Sequence, residues 1–584
     1  MRLLDKRGWV LCLVGILALL LPLPSLRADL YTDDMGMVLA MDGVAPPVIP
    51  GAFHLYTFMS GAPGERDSLV SQSQIPWWSV DGIRISFLRP LSSALLWLDH
   101  ALGGRNPLPY HVHSLLWYLA ATLAAAMLFR RLLPAREAGL AAVLFAIAPA
   151  HFMLGAWPSA RHVAISGTFA ILALVFHIDA RCGAGRWRGA LSALCAVLAL
   201  AAGETALGLF GYIAAYELLD RREAPALRLR ALAPWAALFF AYALLYKAQA
   251  FGVRGVGAYI DPIGQPAAYL SALPTRLAVY LGSALLCIPS EITMLLPKSM
   301  ATLGALGLAS AALLALLLRR SPPTMSATLG TLLWLVVGGL LALLPGIASI
   351  TGDRVLFLPD LAVAAGLAVA ILNAGKGPSS VTLWAARAGI LLFVLAHFVL
   401  GPASFAFQSA ELARTSHDAL RIAEAAEIPV RPGLSVIGIG LADPLIGMYL
   451  PASLYIAPRP EPRPRAIQVL STASHDHRVQ RTGDRTLELS VIGGTLLDDP
   501  LAYLFRGPST PLHVGDVTPL GTWKVRVLDV DAGRPTRFEV ELDRSVDDPS
   551  FAFVVWRGGG LRKFTPPRLG ETVLVRHETG PLGI

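Results

Sequence analysis

The sequence predicts a polytopic α-helical membrane protein that carries a mostly-β domain at its C-terminal end. Hydrophobic residues make up 55% of the chain and charged residues 15%, with a mean hydropathy of +0.58. Soluble domains carry about 25% charged residues, so this composition indicates an integral membrane protein. Near residue 403 the long apolar runs give way to short ones cut by Gly, Pro and Asp, a pattern typical of strands.

The apolar runs predict the membrane spans. A helix needs about 20 apolar residues to cross the hydrocarbon core of a bilayer, and about eleven segments meet or approach that length. They lie at residues 9–28, 109–129, 138–156, 162–180, 189–203, 205–219, 231–250, 302–318, 326–345, 355–373 and 382–402. Residues 271–297 are moderately apolar but carry Pro274, Arg276 and Glu291. We interpret them as a re-entrant or surface-lying segment on the outer side, because a span there would reverse all later helices.

Basic residues concentrate in short loops and predict the orientation. They lie in Met1–Arg7, Arg130-Arg131, Arg181–Arg188, Arg221–Arg230, Arg319-Arg320 and Lys376. If all of them face the cytoplasm, the N-terminus is inside and the C-terminal domain lies in a periplasm-like space. The net charge of +8 then reflects the positive-inside bias, which excludes a nucleic-acid partner.

These patterns divide the chain into two domains. Residues 1–402 form the predicted transmembrane domain, and residues 403–584 form the predicted extracytoplasmic β-rich domain. Residues 29–108 make a first outer loop that is too long for a mere connector. Apolar residues within Ser86–His100 predict an amphipathic helix lying on the membrane, and we interpret Trp77-Trp78 as an interface anchor.

Asp33 and Asp34 directly follow the first apolar segment. Two adjacent carboxylates at a membrane exit are unfavourable unless they face water, a cation or a substrate. We therefore interpret them as the lip of a membrane-embedded active site. The predicted topology places Arg161, Glu204 and Arg354 on the same outer side, so one cavity can gather these charged side chains.

The four cysteines carry no recognisable chemistry. They lie in or beside apolar segments, and no CxxC or His/Cys ligand spacing occurs. Neither a zinc site nor a disulfide framework is supported, and the cysteines are best explained as small hydrophobic residues. The sequence supports no metal ligand set and no cofactor.

Several short motifs occur in an order that one superfamily shows. Asp33-Asp34 follows the first span, Arg89-Pro90-Leu91 precedes Asn106-Pro107 and Tyr110-His111, Pro149-Ala150-His151 leads to Trp157 and Arg161, and Glu204-Thr205-Ala206 and Arg354–Pro359 each open a span. Over roughly residues 9–375 the chain resembles GT-C fold glycosyltransferases, multi-spanning enzymes that use polyprenyl-phosphate sugar donors. It is most similar to the membrane part of protein O-mannosyltransferases carrying tetratricopeptide repeats, and to their bacterial relatives.

The chain departs from that pattern in places. Ala148 stands where the family often has His before Pro, Val163 where an Asp often follows the Arg, and Gly203 where Lys often precedes Glu204. A β-like domain takes the place of the tetratricopeptide repeats. The acceptor can therefore differ from the proteins that the family modifies.

The resemblance implies an activity. A sugar, with mannose as the candidate, is expected to pass from a polyprenyl phosphate to a protein or glycan acceptor on the outer face. Inversion at the anomeric carbon is expected, and metal dependence varies within the superfamily. The implied location is a bacterial inner (plasma) membrane, which the Gly and Ala richness of the chain also favours.

The resemblance also implies roles for individual residues. Asp34 or Asp33 is expected to be the base, with the other orienting it or holding a cation; the structural alternative is a helix cap. Arg354 is expected to clamp the donor phosphate through its planar guanidinium, with Arg161 as a second candidate. The alternative for Arg354 is an interface anchor or a partner of Asp353, and for Arg161 snorkelling to the interface.

Arg89, His111, His151 and Glu204 complete the predicted pocket. For the two histidines a satisfied structural role is the stronger alternative. Glu204 is a functional candidate as an intramembrane acid, or else a partner of Arg161 that ties helices together. Arg89 is favoured as an anchor to lipid headgroups.

Two other function classes stay open from the sequence. A transporter or lipid flippase would favour internal repeats and spans broken in matching halves, which the sequence does not show. A non-catalytic assembly protein would use the outer domain to bind envelope components. Substitution of Asp33 and Asp34 separates this last class from an enzyme.

Overall fold

The computed structural model describes residues 7–44, 51–374, 380–499 and 501–581. Residues 1–6 and Lys376, which enter the orientation prediction, lie outside the described residues. The described chain has a helical part followed by a strand-rich part, so a helical membrane protein with a C-terminal strand-rich region is confirmed.

The helical part consists mainly of long apolar helices. Its helices are α1 (Arg7–Leu20), α2 (Asp33–Met41), α3 (Glu65–Ser71), α4 (Pro90–Gly103), α5 (Pro107–Leu132), α6 (Ala135–Ala146), α7 (Phe152–Ala156), α8 (Arg161–Arg181), α9 (Arg186–Ala202), α10 (Leu207–Ala215), α11 (Pro225–Ala248), α12 (Pro266–Leu286), α13 (Ile292–Leu295), α14 (Ser299–Leu318), α15 (Ser326–Ile347), α16 (Asp360–Asn373), α17 (Ser380–Leu395) and α18 (Gly401–Glu424). Helix α5 shows the local signals: the Asn106 side chain accepts a bond from Leu108 N at 3.1 Å, Pro107 occupies the first turn, and Arg130 and Arg131 complement the C-terminal dipole.

Among the described residues, seven helices are long and apolar enough to cross a membrane, or eight if a bent pair is one span. The bent pair joins Ala135–Ala146 to Pro149–Ala156 at 51°. The predicted number of about eleven is larger because it includes three apolar runs that form shorter helices. These helices are α9 with 17 residues, α10 with 9 and α16 with 14.

The segment interpreted as re-entrant or surface-lying forms the 21-residue helix α12 and the short α13. Helix α12 is not among the seven. It packs against α14, where Gly307 lies so close to Ala278 and Gly282 that neither helix has room for another side-chain atom. Small residues of this kind let helix backbones approach closely inside a membrane.

The first outer loop folds into α2, α3, α4 and two strands. Strands β1 (Thr57–Ser60) and β2 (Arg84–Ser86) pair antiparallel, and β3 (Gly252–Arg254), between α11 and α12, adds to β2. The predicted amphipathic helix corresponds to α4, whose Leu96 and Asp99 are buried within the protein.

The interpretation of Trp77-Trp78 as a membrane anchor is wrong. Both side chains are almost fully buried, at 1% and 2% exposure, in a cluster with strand residues of the C-terminal region. The Trp77 indole donates to the carbonyl of Leu470 at 2.9 Å. The pattern misled because an amphipathic ring with one polar atom suits a membrane interface and a protein core with one acceptor equally well.

The strand-rich part contains two sheets and the helix α19 (Pro444–Ile456). Its strands are β4 (Ser435–Gly438), β5 (Ala466–Val469), β6 (Asp476–Arg481), β7 (Thr486–Ile492), β8 (Val517–Leu520), β9 (Trp523–Asp531), β10 (Arg534–Glu541), β11 (Phe551–Arg557), β12 (Gly560–Phe564) and β13 (Thr572–Val575). The antiparallel sheet has the order β13-β6-β7-β10-β9-β8. The mixed sheet has the order β12-β11-β4-β5, with β4 parallel to both β11 and β5.

The helical part and the strand-rich part also pack against each other. The π-helical turn Ala396–Leu400 joins α17 and α18 into one helical stretch, Trp384–Glu424, that crosses the predicted domain boundary at residue 402. A buried cluster combines Met35 and Val38 of α2 with Leu420 of α18 and Ile456 of α19. The C-terminal region therefore packs directly on the segment that carries Asp33 and Asp34.

We expect Gly307→Ala to destabilise the protein by about 1–3 kcal/mol, because the added methyl group would overpack the α12–α14 contact. The new Cβ would lie 2.2 Å from the carbonyl oxygen of Ala278. Thermal unfolding in detergent measures the effect. Gly304→Ala, on the same helix and 3.4 Å from Ala278 Cβ, is the matched control and should change stability little. Equal melting temperatures for the two variants would contradict the packing.

Candidate active site

The site is organised on the first turn of α2. Thr32 precedes this helix with a φ of +48°, a conformation that non-glycine residues rarely adopt. It turns the chain so that Asp33 and Asp34 occupy the first helical turn, where the helix dipole favours negative charge. Backbone strain of this kind is retained where the surrounding structure demands it, and it clusters at functional sites.

Asp34 is the inner carboxylate of the pair, with 4% exposure. Its Oδ1 accepts a bond from the backbone N–H of Ser159 at 2.8 Å and another from the Ser159 hydroxyl. Its Oδ2 accepts a longer bond from the N–H of Tyr31 at 3.4 Å. Burial raises the pKa of Asp34 to about 7; the Ser159 hydroxyl lowers it and the charge of Asp33 raises it. The inner acid thus fastens α2 to the start of α8.

Asp33 is the outer, half-buried carboxylate. Its Oδ1 accepts a bond from the hydroxyl of Tyr449 at 2.5 Å, and its Oδ2 takes no hydrogen bond from the described residues. Burial raises the pKa of Asp33, while the Tyr449 hydrogen bond and the positive charges of Arg354 and Arg89 lower it. One oxygen of Asp33 is therefore open to a ligand.

Arg354 lies in the 3-10 turn Asp353–Leu356 and is partly exposed. Within the described chain its guanidinium takes part in no hydrogen bond and no ion pair, although its charge acts on Asp33 and Glu291. The alternative of an ion pair with Asp353 is not what the structure shows. Asp353 instead accepts bonds from Ser283 Oγ at 2.7 Å and Ser290 N at 3.0 Å. Arg354 keeps its five N–H donors for a ligand.

Arg89 and Glu204 form an ion pair beside this cluster. Arg89 Nε lies 2.8 Å from Glu204 Oε2, and the Tyr246 hydroxyl donates to Glu204 Oε1 at 3.2 Å. The Arg89 guanidinium also lies over the rings of Phe87 and Tyr56, 4.2 and 4.8 Å from their centroids. The headgroup interpretation of Arg89 is therefore wrong, as is the alternative that pairs Glu204 with Arg161. Arg89 and Glu204 thus compensate each other, and the charge of Arg89 also acts on Asp33.

Arg161 is 1% exposed and is bound within the protein. Its Nη2 lies 2.5 Å from Asp99 Oδ2, and its Nη1 donates to the carbonyl of Tyr110 at 3.1 Å. The Asp99 carboxylate also contacts His113 Nδ1 at 2.7 Å. This network ties α4, α5 and α8 together behind the acid pair. A phosphate-binding role for Arg161 stays a prediction.

The two predicted histidines form no hydrogen bond or ion pair with Asp33, Asp34 or Arg354 in the part of the chain that the structure describes. His111 is buried at the start of α5. His151 Nε2 lies 3.1 Å from Asp360 Oδ2, and its ring packs 4.6 and 5.0 Å from the ring centroids of Phe145 and Phe357. His151 thus packs in the helical core, and its turn, Pro149–His151, contacts the turn Asp353–Leu356 that carries Arg354.

Sequence reasoning missed three residues that shape the site: Ser159, Asp99 and Tyr449. Asp99 carried a usable signal, because an acid in an apolar helix next to a membrane demands a cationic partner. Ser159 stands two residues before Arg161 but belongs to no pattern. Tyr449 lies 416 residues from Asp33 along the chain, and no local signal connects the two.

Among residues 7–44, 51–374, 380–499 and 501–581, no group of three or more His, Cys, Asp and Glu side chains is arranged to hold a metal ion.

No protein-family model matches this chain, and no curated protein matches it. Two solved structures of the Archaeoglobus fulgidus oligosaccharyltransferase are similar at 14% identity over 78% of this chain. The apo form has a TM-score of 0.39, and the form tethered by a disulfide to an acceptor peptide with the NVT sequon has 0.37. This chain covers 65% and 64% of those chains.

The pKa of Asp34 yields a stability prediction. Burial of Asp34 favours its protonated form, so this carboxyl stabilises the folded protein most when it is protonated. Its contribution to the free energy of unfolding is complete below the pKa of the unfolded state and is lost as pH rises through the folded-state pKa of about 7. The melting temperature of Asp34→Asn relative to wild type should therefore increase with pH up to about 7 and then level off. Differential scanning fluorimetry in detergent measures this difference across the range.

Ser159→Ala sharpens the test. It removes a hydroxyl that stabilises the ionised form, so the levelling-off should move to higher pH. A difference between Asp34→Asn and wild type that does not change with pH would contradict the assignment.

Proposed function

We propose that this protein is a GT-C-like membrane glycosyltransferase that transfers a sugar from a polyprenyl phosphate to a hydroxyl of a protein or glycan acceptor. The proposal rests on one observation: the open oxygen of Asp33 shares a site with Arg354, an arginine with no partner in the described chain. A base beside a free guanidinium suits a reaction in which a hydroxyl is deprotonated and a phosphate departs. Mannose is the first sugar to test.

The reaction needs one displacement. The acceptor hydroxyl hydrogen-bonds to Asp33 Oδ2, its oxygen attacks the anomeric carbon, and its proton passes to Asp33. The bond between the anomeric carbon and the phosphate oxygen breaks at the same time, and its electron pair leaves with the polyprenyl phosphate. Arg354 binds the charge that develops on that phosphate. The anomeric configuration inverts, and Asp33 later gives its proton to water.

The other residues of the site support these two. A raised pKa makes Asp33 a stronger base than a carboxylate in water, which suits it to proton abstraction. Asp34 holds the start of α2 through Ser159. The Arg89–Glu204 pair adds no net charge, so it borders the pocket without competing with Arg354 for the phosphate.

The location and orientation belong to the same proposal. The basic loops put the N-terminus in the cytoplasm, and the acid pair and the C-terminal region on the outer side of a bacterial inner membrane. A donor held in the outer leaflet and an acceptor outside the membrane can meet there. The alternative functions are a transporter or flippase and a non-catalytic assembly protein, and neither needs a base facing a free arginine.

We expect Asp33→Asn to lower transfer by about 10²–10⁴-fold, because it removes the general base. Arg354→Ala should lower it by about 10²–10³-fold, because the leaving phosphate loses its cation. Asp34→Asn should have the smaller effect of the two aspartates. The assay follows transfer from radiolabelled polyprenyl-phosphate sugars in purified membranes, with mannose first.

Two matched controls accompany the assay. Asp42→Asn changes an acid at the other end of α2, whose partners are His100 and Arg105, and should leave transfer near the wild-type level. Arg354→Lys keeps the charge but not the planar fork, so it should recover only part of the activity. If wild type transfers and Asp33→Asn matches it, Asp33 is not the base. If wild type consumes no donor, the proposal falls.

A further inference from the structure

The C-terminal region reaches the acid pair through the helix α19. One face of α19 packs on α2 in the buried cluster that contains Leu30, Met35 and Val38. Tyr449 and Ala452 of α19 lie against this cluster, and Ser453 Oγ lies 3.6 Å from Met35 Sδ. The position of α19 is therefore set by apolar packing on the segment that carries Asp33.

Tyr449 is the α19 residue that reaches the site. Its hydroxyl donates to Asp33 Oδ1 at 2.5 Å, and within the described chain no other side chain donates to either oxygen of Asp33. A hydrogen bond from a neutral donor to a carboxylate is stronger than one between neutral groups, and it fixes the plane of the acceptor. With Oδ1 taken, Oδ2 is the oxygen left for an incoming hydroxyl.

We propose that Tyr449 is a positioning residue for Asp33, so that the C-terminal region supplies an indispensable part of the active site. The inference rests on the proposed function and extends it, because it gives the C-terminal region a role that no motif in its sequence suggests. Tyr449 contacts no reacting atom. It acts by holding the base with one oxygen presented to the acceptor and by stabilising its ionised form.

The charges around Asp33 determine what removal of this hydroxyl will do. Asp34 lies next to it on α2, Arg89 precedes α4, and Arg354 approaches from the 3-10 turn before α16. Tyr56, from the loop before β1, faces the same group. Without the Tyr449 hydroxyl the two arginines remain, while one bond to the ionised form is lost, so the pKa of Asp33 rises.

Tyr449→Phe tests the inference, because it removes only the hydroxyl and keeps the ring in the apolar cluster. We expect transfer to fall by roughly tenfold or more, through kcat rather than through KM for the donor. We also expect the rising limb of the pH–rate profile to move to higher pH. If Tyr449 only packed in the apolar cluster, Tyr449→Phe would change neither the rising limb of the pH–rate profile nor the ratio of kcat to KM.

Tyr455→Phe is the matched control. Tyr455 lies on the same helix, and its hydroxyl donates to the carbonyl of Pro464 at 3.0 Å, within the C-terminal region. This variant should keep the wild-type pH profile, and both variants should melt close to wild type. Asp33→Asn combined with Tyr449→Phe should transfer no more slowly than Asp33→Asn alone, since the tyrosine acts through the aspartate. A Tyr449→Phe enzyme with the pH profile of Tyr455→Phe would overturn the inference.

A second measurement separates this inference from the proposed function. Infrared difference spectra of the protonated carboxyl band, recorded against pH, follow Asp33 without any turnover, and Asp33→Asn identifies the band. The band should titrate at higher pH in Tyr449→Phe than in wild type. If the wild-type protein transfers sugar but the band titrates at the same pH in Tyr449→Phe, the role of Tyr449 is refuted and the proposed function stands. If the wild-type protein transfers no sugar, the proposed function is refuted, and with it the role of Tyr449 in catalysis, even if the band titrates at higher pH in Tyr449→Phe.

Discussion

Burial of two adjacent carboxylates is the constraint on which this structure depends. Asp33 and Asp34 begin the first helix of the outer loop, and each needs a partner because an unpaired buried charge is strongly unfavourable. Asp34 finds its partner in Ser159 at the start of α8, and Asp33 in Tyr449 of α19. The acid pair therefore joins the helical part to the C-terminal region. Arg354, whose guanidinium has no hydrogen bond or ion pair within the described chain, is left to bind an anionic ligand.

The sequence predicted the fold class because hydropathy and charge distribution are strong physical signals. Apolar runs such as 109–129 and 162–180 became long helices, and the strands after residue 430 followed from short alternating segments. Runs near 189–203 and 355–373 became helices too short to count as spans. Hydropathy reports that a segment avoids water, and it does not report whether lipid or neighbouring helices cover it. Trp77-Trp78 misled for the same reason.

The charged residues of the site could be predicted from the sequence, but their hydrogen-bond partners could not. Asp33, Asp34 and Arg354 could be found because charged residues at membrane boundaries are rare and demand an explanation. The pairing of Glu204 could not, since the sequence suggested only Arg161 as its partner, whereas the packed helices bring Arg89 to Glu204 and Asp99 to Arg161. Tyr449 could not be predicted from the sequence because its contact with Asp33 depends on how α19 packs on α2.

The most direct test of this account is a structure of the protein in a lipid nanodisc with a non-hydrolysable polyprenyl-phosphate sugar analogue. If Arg354 binds the leaving phosphate and Asp33 is the base, the donor phosphate will lie within hydrogen-bond distance of the Arg354 guanidinium, and Asp33 Oδ2 will face the anomeric carbon from the opposite side. Such an arrangement would place the base in line for an inverting displacement. A phosphate bound away from Arg354, with Asp33 closed off from the sugar, would contradict it.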